Sequence, residues 1–293
     1  MPVAFQSPLL QLIASSIILG LGAVFVVFID LGTTVIAFYR LFFGGLLFAA
    51  LLWLKKEPLA INSKALLFAL LAGAFLGLDL SLWNKSIVLI GPGMATILNS
   101  LQIFFMAGFG IIFYGEKPTG KLWTSLLLTF TGVVLLSHHE IQTATNGMSG
   151  VIVGILSALA FAASMLSLRE TAKYQDHSLI NTMFYTSVGG AFTTGIYAFG
   201  AHEPFITNDI NSWLMIAIYA SIVHVLAWFL MAKSIPKITV AVVGLVMCLE
   251  PLTVFCVDLG LLHKSITFWQ AIGAMLTLTA VYLGSQSTKR KTP

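Results

Sequence analysis

Residues 65–88 read ALLFALLAGAFLGLDLSLWNKSIV. At about 1.5 Å of rise per residue, a helix of this run crosses the ~30 Å hydrocarbon core of a bilayer. One acid, Asp79, interrupts it. The stretch closes on Asn84-Lys85-Ser86-Ile87, and 148 positions later the chain repeats the pattern as Ala232-Lys233-Ser234-Ile235. An apolar span, an ionisable group inside it and a distant echo point together to a polytopic membrane protein built from two similar halves.

Composition agrees. Of the 293 residues, 58% are hydrophobic and 9% charged, against ~25% charged in soluble domains. Mean hydropathy is +0.96. So few charges cannot cover a soluble globule of this size. Disorder, collagen, coiled coil and nucleic-acid binding are excluded on the same grounds. Cys248 and Cys256, eight positions apart in one apolar run, are separated by about 12 Å of helix rise and read as small apolar filler.

Ten apolar runs lie near 8–28, 33–54, 65–88, 94–114, 121–137, 149–168, 180–199, 212–232, 238–259 and 267–285. The first lacks a basic leader and reads as a retained helix. The expected fold is therefore all-α, with ten transmembrane helices and no extramembrane domain. Basic residues set the orientation. Twelve of the 15 (Lys55, Lys56, Lys64, Lys117, Lys121, Arg169, Lys173, Lys233, Lys237, Lys289, Arg290 and Lys291) fall on one side, only Lys85 and Lys264 on the other, and Arg40 within the second run. Both termini are expected to be cytoplasmic, and the compact chain suits a bacterial inner membrane.

The halves echo each other further. At the offset of 148, Leu101-Gln102-Ile103 meets Leu249-Glu250-Pro251. Phe38-Tyr39 with Gly44-Gly45 recurs as Phe184-Tyr185 with Gly189-Gly190, and Leu122-Trp123 as Phe268-Trp269. Five helices per copy is odd, so the second copy (144–293) is inverted relative to the first (1–143), an architecture of secondary transporters.

These features resemble the drug/metabolite transporter superfamily, in its EamA branch. The residues that carry the resemblance are Ala37-Phe38-Tyr39-Arg40, the Lys-Ser-Ile endings of runs 3 and 8, Glu250-Pro251, and Gly115-Glu116. It covers nearly the whole chain and implies a central cavity lined by helices 3, 4, 8 and 9. Two positions depart from the pattern. Gln102-Ile103 stands opposite Glu-Pro, which makes the two halves of a site chemically unlike. Leu262-His263-Lys264 stands where a second Gly-Glu is expected, which argues against an essential role for Glu116.

An ionisable side chain within the bilayer is a functional candidate. Counting rise per residue, Asp79 and Glu250 lie about 21 and 18 Å from the cytoplasmic edge, and His224 and Gln102 about 16 and 12 Å from the outer one. Asp79 with Trp83, His224 with Trp228, and Asn99 with Gln102 each share a helix face. An acid beside aromatic rings suits a cation. Tyr39 and Tyr185 could add hydroxyls. Each candidate has a structural alternative: interface anchoring for the tryptophans, packing for the tyrosines, a neutral bonded imidazole for His224, a helix-shaping role for Glu250, and a pair with Arg40 or Lys85 for Asp79. Arg40 itself reads as half of a structural ion pair. Lys85 and Lys233 read as interfacial anchors, and Asp258 as a solvated boundary residue. His138-His139-Glu140 lacks a spaced second ligand pair, so no metal is expected. Gly73 and Gly77 allow close helix approach. Gly91-Pro92-Gly93, Pro236 and Pro251 are candidate hinges.

The expected function is secondary transport of a small polar metabolite, amino-acid-like or cationic, by alternating access. No Walker A motif is present, no cofactor is called for, and a proton or the membrane potential is left as driving force. Export of cationic drugs or nucleoside-like compounds is the alternative. An intramembrane lipid enzyme lacks H-E-x-x-H and G-x-S-x-G. A channel would want a symmetric oligomer, whereas one copy of this chain encloses its own interior, so a monomer could suffice.

Overall fold

The computed structural model describes residues 7–90, 92–117, 119–136, 148–174, 177–260 and 267–285. Gly91, His138-His139-Glu140, Leu262-His263-Lys264, Lys289-Arg290-Lys291 and the 143/144 boundary lie outside them, as does the side chain of Asp258. The helices are α1 (Pro8–Val27), α2 (Thr33–Lys55), α3 (Ser63–Ile90), α4 (Pro92–Ser100), α5 (Gln102–Tyr114), α6 (Gly120–Leu136), α7 (Met148–Thr171), α8 (Leu179–Gly200), α9 (Ile210–Tyr219), α10 (Trp228–Ser234), α11 (Val240–Met247), α12 (Leu249–Gly260) and α13 (Phe268–Ser285). Among the described residues, five stretches are long and apolar enough to cross a membrane: Thr33–Leu54, Ser63–Ile90, Ala95–Tyr114, Met148–Thr171 and Ile210–Lys237. Pro8–Gly22, Gly120–Leu135, Val240–Val254 and Phe268–Gly284 are shorter apolar helices. Helix α8 is 22 residues long but carries four threonines and an asparagine.

Local chemistry sets the helix ends. Pro8 starts α1 at a position that needs no N–H. Ser178 accepts from the Asn181 N–H at the start of α8, and Asp209 from the N–H groups of Asn211 and Ser212 at the start of α9. Hydrogen bonds from Ser212 and Asn211 hold the Asp209 carboxyl below the usual carboxylate range.

Three rods expected to be continuous are interrupted. Between α11 and α12, Pro251 offers no N–H to the Met247 carbonyl, and Cys248 N turns back to Leu245 O at 3.2 Å. Between α4 and α5, the Ser100 hydroxyl bonds back to Thr96 O at 2.8 Å, a contact that bends helices, and Leu101 N reaches Leu98 O instead of the residue four back. Between α9 and α10, Ala220–Ala227 form a π-helical turn that contains His224.

The fold turns a soluble protein's polarity inside out. Trp53, Val88, Phe192, Phe199 and Met275 are exposed, while Arg40, Asp79, Gln102 and His224 are buried. Lipid accommodates that exterior, whereas water does not.

Sequence-related helices pack on one another, α2 on α8 and α6 on α13, while α5 packs on α11, the counterpart of α4, and α3 lies against α7 and α8. Tyr39, near the start of α2, bonds the Phe205 carbonyl beyond the end of α8 at 2.8 Å. Tyr185, near the start of α8, bonds the Leu59 carbonyl beyond the end of α2, also at 2.8 Å. The two helices therefore run antiparallel. Both members of each pair are related by 146 positions (39 to 185, 59 to 205). The same offset joins Lys56-Glu57-Pro58 to His202-Glu203-Pro204. Lys56 and His202 both adopt left-handed backbone, at φ 54° and 56°, and both close their helices with N–H bonds to the carbonyls three residues back. Where α3 crosses α8 the backbones touch. A Cβ on Gly73 would collide with the Thr186 carbonyl, and one on Gly77 would lie 2.8 Å from the Gly190 carbonyl.

Candidate functional site

Asp79 lies in the middle of α3, 4% exposed. Its Oδ1 accepts from Ser157 Oγ of α7 at 2.6 Å and from Asn99 Nδ2 of α4 at 3.0 Å. Asn99 Nδ2 also donates to Ser157 Oγ at 2.8 Å, which closes a triangle. Among the described residues no hydrogen bond reaches Oδ2. The break after α4 places Asn99 against α3, and the antiparallel crossing of α3 and α7 brings up Ser157. Trp83 is half-buried one turn further along α3.

Glu250, in the first turn of α12, is half-buried. It makes no hydrogen bond among the described residues. Asp79 and Glu250 lie within Coulombic reach of each other, and both within reach of Arg40. Gln102, the counterpart of Glu250 in the first half, is buried with Oε1 unpartnered. The two helix interruptions bring these groups to equivalent positions, one residue past the break in α5 and two past it in α12.

The ion pairs weighed for Arg40 and Asp79 are not formed. Among the described residues the salt bridges are Arg169–Glu116 and Lys173–Glu170. Arg40 is 6% exposed, so it does not snorkel to water either. Its Nη1 donates to the Tyr219 hydroxyl at 2.9 Å, its guanidinium lies 5.3 Å from that ring, and its Nε has no partner. Lys85 and Lys233 are exposed near the ends of their helices, as anchors would be.

His224 occupies a second polar corner, 1% exposed. Ser187 Oγ lies 2.7 Å from the Met183 carbonyl, which only an O–H can serve, so the imidazole Nε2–H donates to Ser187 at 2.8 Å. Nδ1 has no partner, nor does Nε1 of buried Trp228, whose ring centroid is 6.2 Å from the imidazole. Gly44 makes room for this ring, because a Cβ there would collide with His224 Cδ2.

The tyrosines belong elsewhere. The Tyr39 and Tyr185 hydroxyls are committed to loop carbonyls at opposite ends of the bundle, which removes them from the central group and gives them a stapling role. Glu116 stands at the lysine-rich face. Its carboxylate accepts from Val240 N at 2.8 Å and from Ala241 N at 3.5 Å, capping α11, and stands 3.9 Å from Arg169 Nη2. Arg169 donates to the Ile238 carbonyl at 2.6 Å and covers the Tyr114 ring at 4.5 Å. Tyr114 bonds Glu170, which pairs with Lys173 at 2.7 Å. This network joins the ends of α5 and α7 to the start of α11 on the lysine-rich face. At the other end, a cavity of about 490 Å³ opens between Asp30–Gly32 and Pro204–Asp209.

Of the residues singled out in the sequence, the structure joins Asp79 to Asn99, sets Asp79 in electrostatic contact with Glu250, and places His224 beside Trp228. Sequence reasoning missed Ser157 and Ser187, which lie in runs of small residues without a distinguishing pattern. It also missed that Arg40 is unpaired, although a buried base with few acids nearby was the available signal. Among the described residues no cluster of His, Cys, Asp and Glu could hold a metal.

Comparison with known proteins follows the same division into halves. The model of the EamA-like transporter family matches residues 6–138 and again 148–285. A chloroplastic WAT1-related protein of Arabidopsis thaliana is 27% identical over 271 residues, covering 86% of this chain. The chain spans 62% of that relative's length. A solved crystal structure superimposes with a TM-score of 0.77 over 99% of this chain and all of the other, at 12% identity. At that identity the likeness is one of fold.

Proposed function

The chain belongs to the EamA-like transporter family of the drug/metabolite transporter superfamily, and from that premise we propose what it carries and how. It is an integral membrane transporter of small molecules. The proposed cargo is an amino-acid-like or cationic metabolite, held at mid-membrane by Asp79 and Glu250 with Asn99, Gln102 and Trp83. His224 and Trp228 form the adjoining wall. The observation that carries this reading is the pair of deeply placed carboxylates without counter-ions. Among the described residues, Asp79 Oδ2 and Glu250 take no hydrogen bond. An uncompensated buried acid is costly, and a positively charged group of the cargo supplies the compensation.

The mechanism proposed is alternating access between two inverted five-helix repeats, 1–143 and 144–293, with ten spans in total. The antiparallel pairing of α2 with α8 and the matched interruptions beside Gln102 and Glu250 support it. The Glu116–Arg169–Tyr114–Glu170 network is the closed gate of the lysine-rich face, which the bias of basic residues makes cytoplasmic. Both termini lie on that side, in a bacterial inner membrane. One chain encloses the pathway, and a proton or the membrane potential drives it.

Flux into proteoliposomes of purified protein tests this. Asp79→Asn and Glu250→Gln should each lower flux of an amino acid or amine while the melting temperature stays near that of wild type. Full flux in both variants would reject the acid-centred site.

A further inference from the structure

Arg40 is the feature the proposed function leaves unexplained. It is a permanent cation, buried in α2, with no carboxylate within 4.0 Å among the described residues. Burying a charge without a counter-ion costs several kcal/mol. A structural role would predict a bidentate acid, and Asp79 and Glu250 are both within Coulombic reach. Neither is bonded to it. The side chain is held by other means. Tyr219 takes Nη1, and Phe25 stacks on Tyr219 at 5.5 Å. That leaves the other edge of the guanidinium, Nε and Nη2, without a hydrogen bond among the described residues. This edge is the fork that receives a carboxylate through two parallel N–H···O bonds.

We infer that Arg40 binds the carboxylate of the cargo, so that the site takes zwitterionic α-amino acids in preference to simple amines. The inference rests on the acid-centred site proposed above and adds its missing half. The two charged groups of an α-amino acid are attached to the same carbon. Hosts for them must be near one another, yet unpaired so that both remain available. Arg40 interacts electrostatically with both Asp79 and Glu250 and forms an ion pair with neither among the described residues, so hosts of both signs stay available. Tyr219 acts as a positioning residue by fixing which edge of the guanidinium is presented.

The test compares ligands that differ only in the carboxylate. Each proteinogenic amino acid, its amide and its decarboxylated amine are titrated against the purified wild-type protein, with melting temperature and proteoliposome flux as readouts. At least one amino acid should bind on the order of tenfold to a hundredfold more tightly than its own amide and amine, as expected for a lost charged hydrogen-bond pair. Arg40→Gln should abolish that preference while leaving amine binding in place, and Arg40→Lys should restore part of it. Amines that bind as tightly as their amino acids would overturn the role of Arg40 and leave the acid-centred site standing. Binding of no amino acid and no amine would overturn both. An Arg40→Gln protein with an intact amino-acid preference would assign Arg40 to structure alone. If that variant does not fold, the wild-type ligand series still decides.

Discussion

The ends of the bundle and its interior treat the internal repeat in opposite ways. At the ends the copies agree almost bond for bond. Tyr39 holds Phe205 as Tyr185 holds Leu59, and Lys56 and His202 turn left-handed at equivalent positions. In the interior, the repeat offsets of 142 to 148 join unlike residues. Asp79 and Asn99 correspond to Ala227 and Met247, 148 positions on. Ser157 donates to the Asp79 carboxylate, whereas Ser15, at the offset of 142 that separates the two family matches, donates to the Ala227 backbone carbonyl at 2.9 Å. Ser16 finds only the Met247 sulfur, at 3.4 Å. In the other direction, His224, Ser187 and Gly44 correspond to Leu76, Leu41 and Gly190, where a Cβ on the glycine would meet leucine carbons at 3.1 Å. Arg40 and Tyr219 correspond to Thr186 and Leu71. Symmetry is kept at the two ends of the bundle, where each tyrosine staples a helix to the other repeat's loop, and is lost around the buried polar groups of the interior.

The largest expected effect falls on the shared frame. Gly73→Leu drives a side chain into the α8 backbone and should abolish folding, read as loss of the monodisperse peak in detergent, whereas Gly108→Ala, with nothing within 4 Å of its Cβ, should leave it unchanged. A folded Gly73→Leu protein would mean that the α3–α8 contact is not rigid.

Next come the unlike interiors. Asp79→Ala with Asn99→Met copies the apolar corner onto the polar one. Flux should fall about tenfold or more, the scale of a lost charged contact, with the melting point little changed because hydrogen bonds between membrane helices average ~0.6 kcal/mol. Unchanged flux would erase the functional contrast between the corners. Glu116→Gln should cost about 1 kcal/mol by weakening the cap on α11 and shift the protein toward opening on the lysine-rich face, measured as faster labelling of cysteines placed there.

The smallest effects sharpen the symmetry itself. Tyr39→Phe and Tyr185→Phe should each cost about 0.5–1.5 kcal/mol, equally and additively, because the staples sit at opposite ends. Unequal losses measured by thermal melts would show that the two staples differ in strength.

Much of the frame was legible beforehand. The apolar runs fall on helices, and Pro251 marked one of the two interruptions beside Gln102 and Glu250. The other was hidden, since Ser100 bends α4 through a hydrogen bond that no proline announces. The Glu57-Pro58 and Glu203-Pro204 copies lay in view, and only their shared turn geometry shows what they do. For the site, depth alone picked out Asp79, Glu250, Gln102 and His224, because ionisable and amide groups stand out against hydrocarbon. Ser157 and Ser187 did not stand out, since serine is also a common packing residue in membrane helices. The tyrosines were misplaced because a hydroxyl's partner depends on loop carbonyls whose position follows from the fold.

The central claim, that an asymmetric polar interior holds the cargo inside a symmetric frame, is tested most directly by proteoliposome flux of amino acids and amines through wild type and Asp79→Asn. Flux in wild type that falls about tenfold or more in Asp79→Asn, with the melting temperature preserved, is the predicted result. Equal flux through both proteins would contradict the claim.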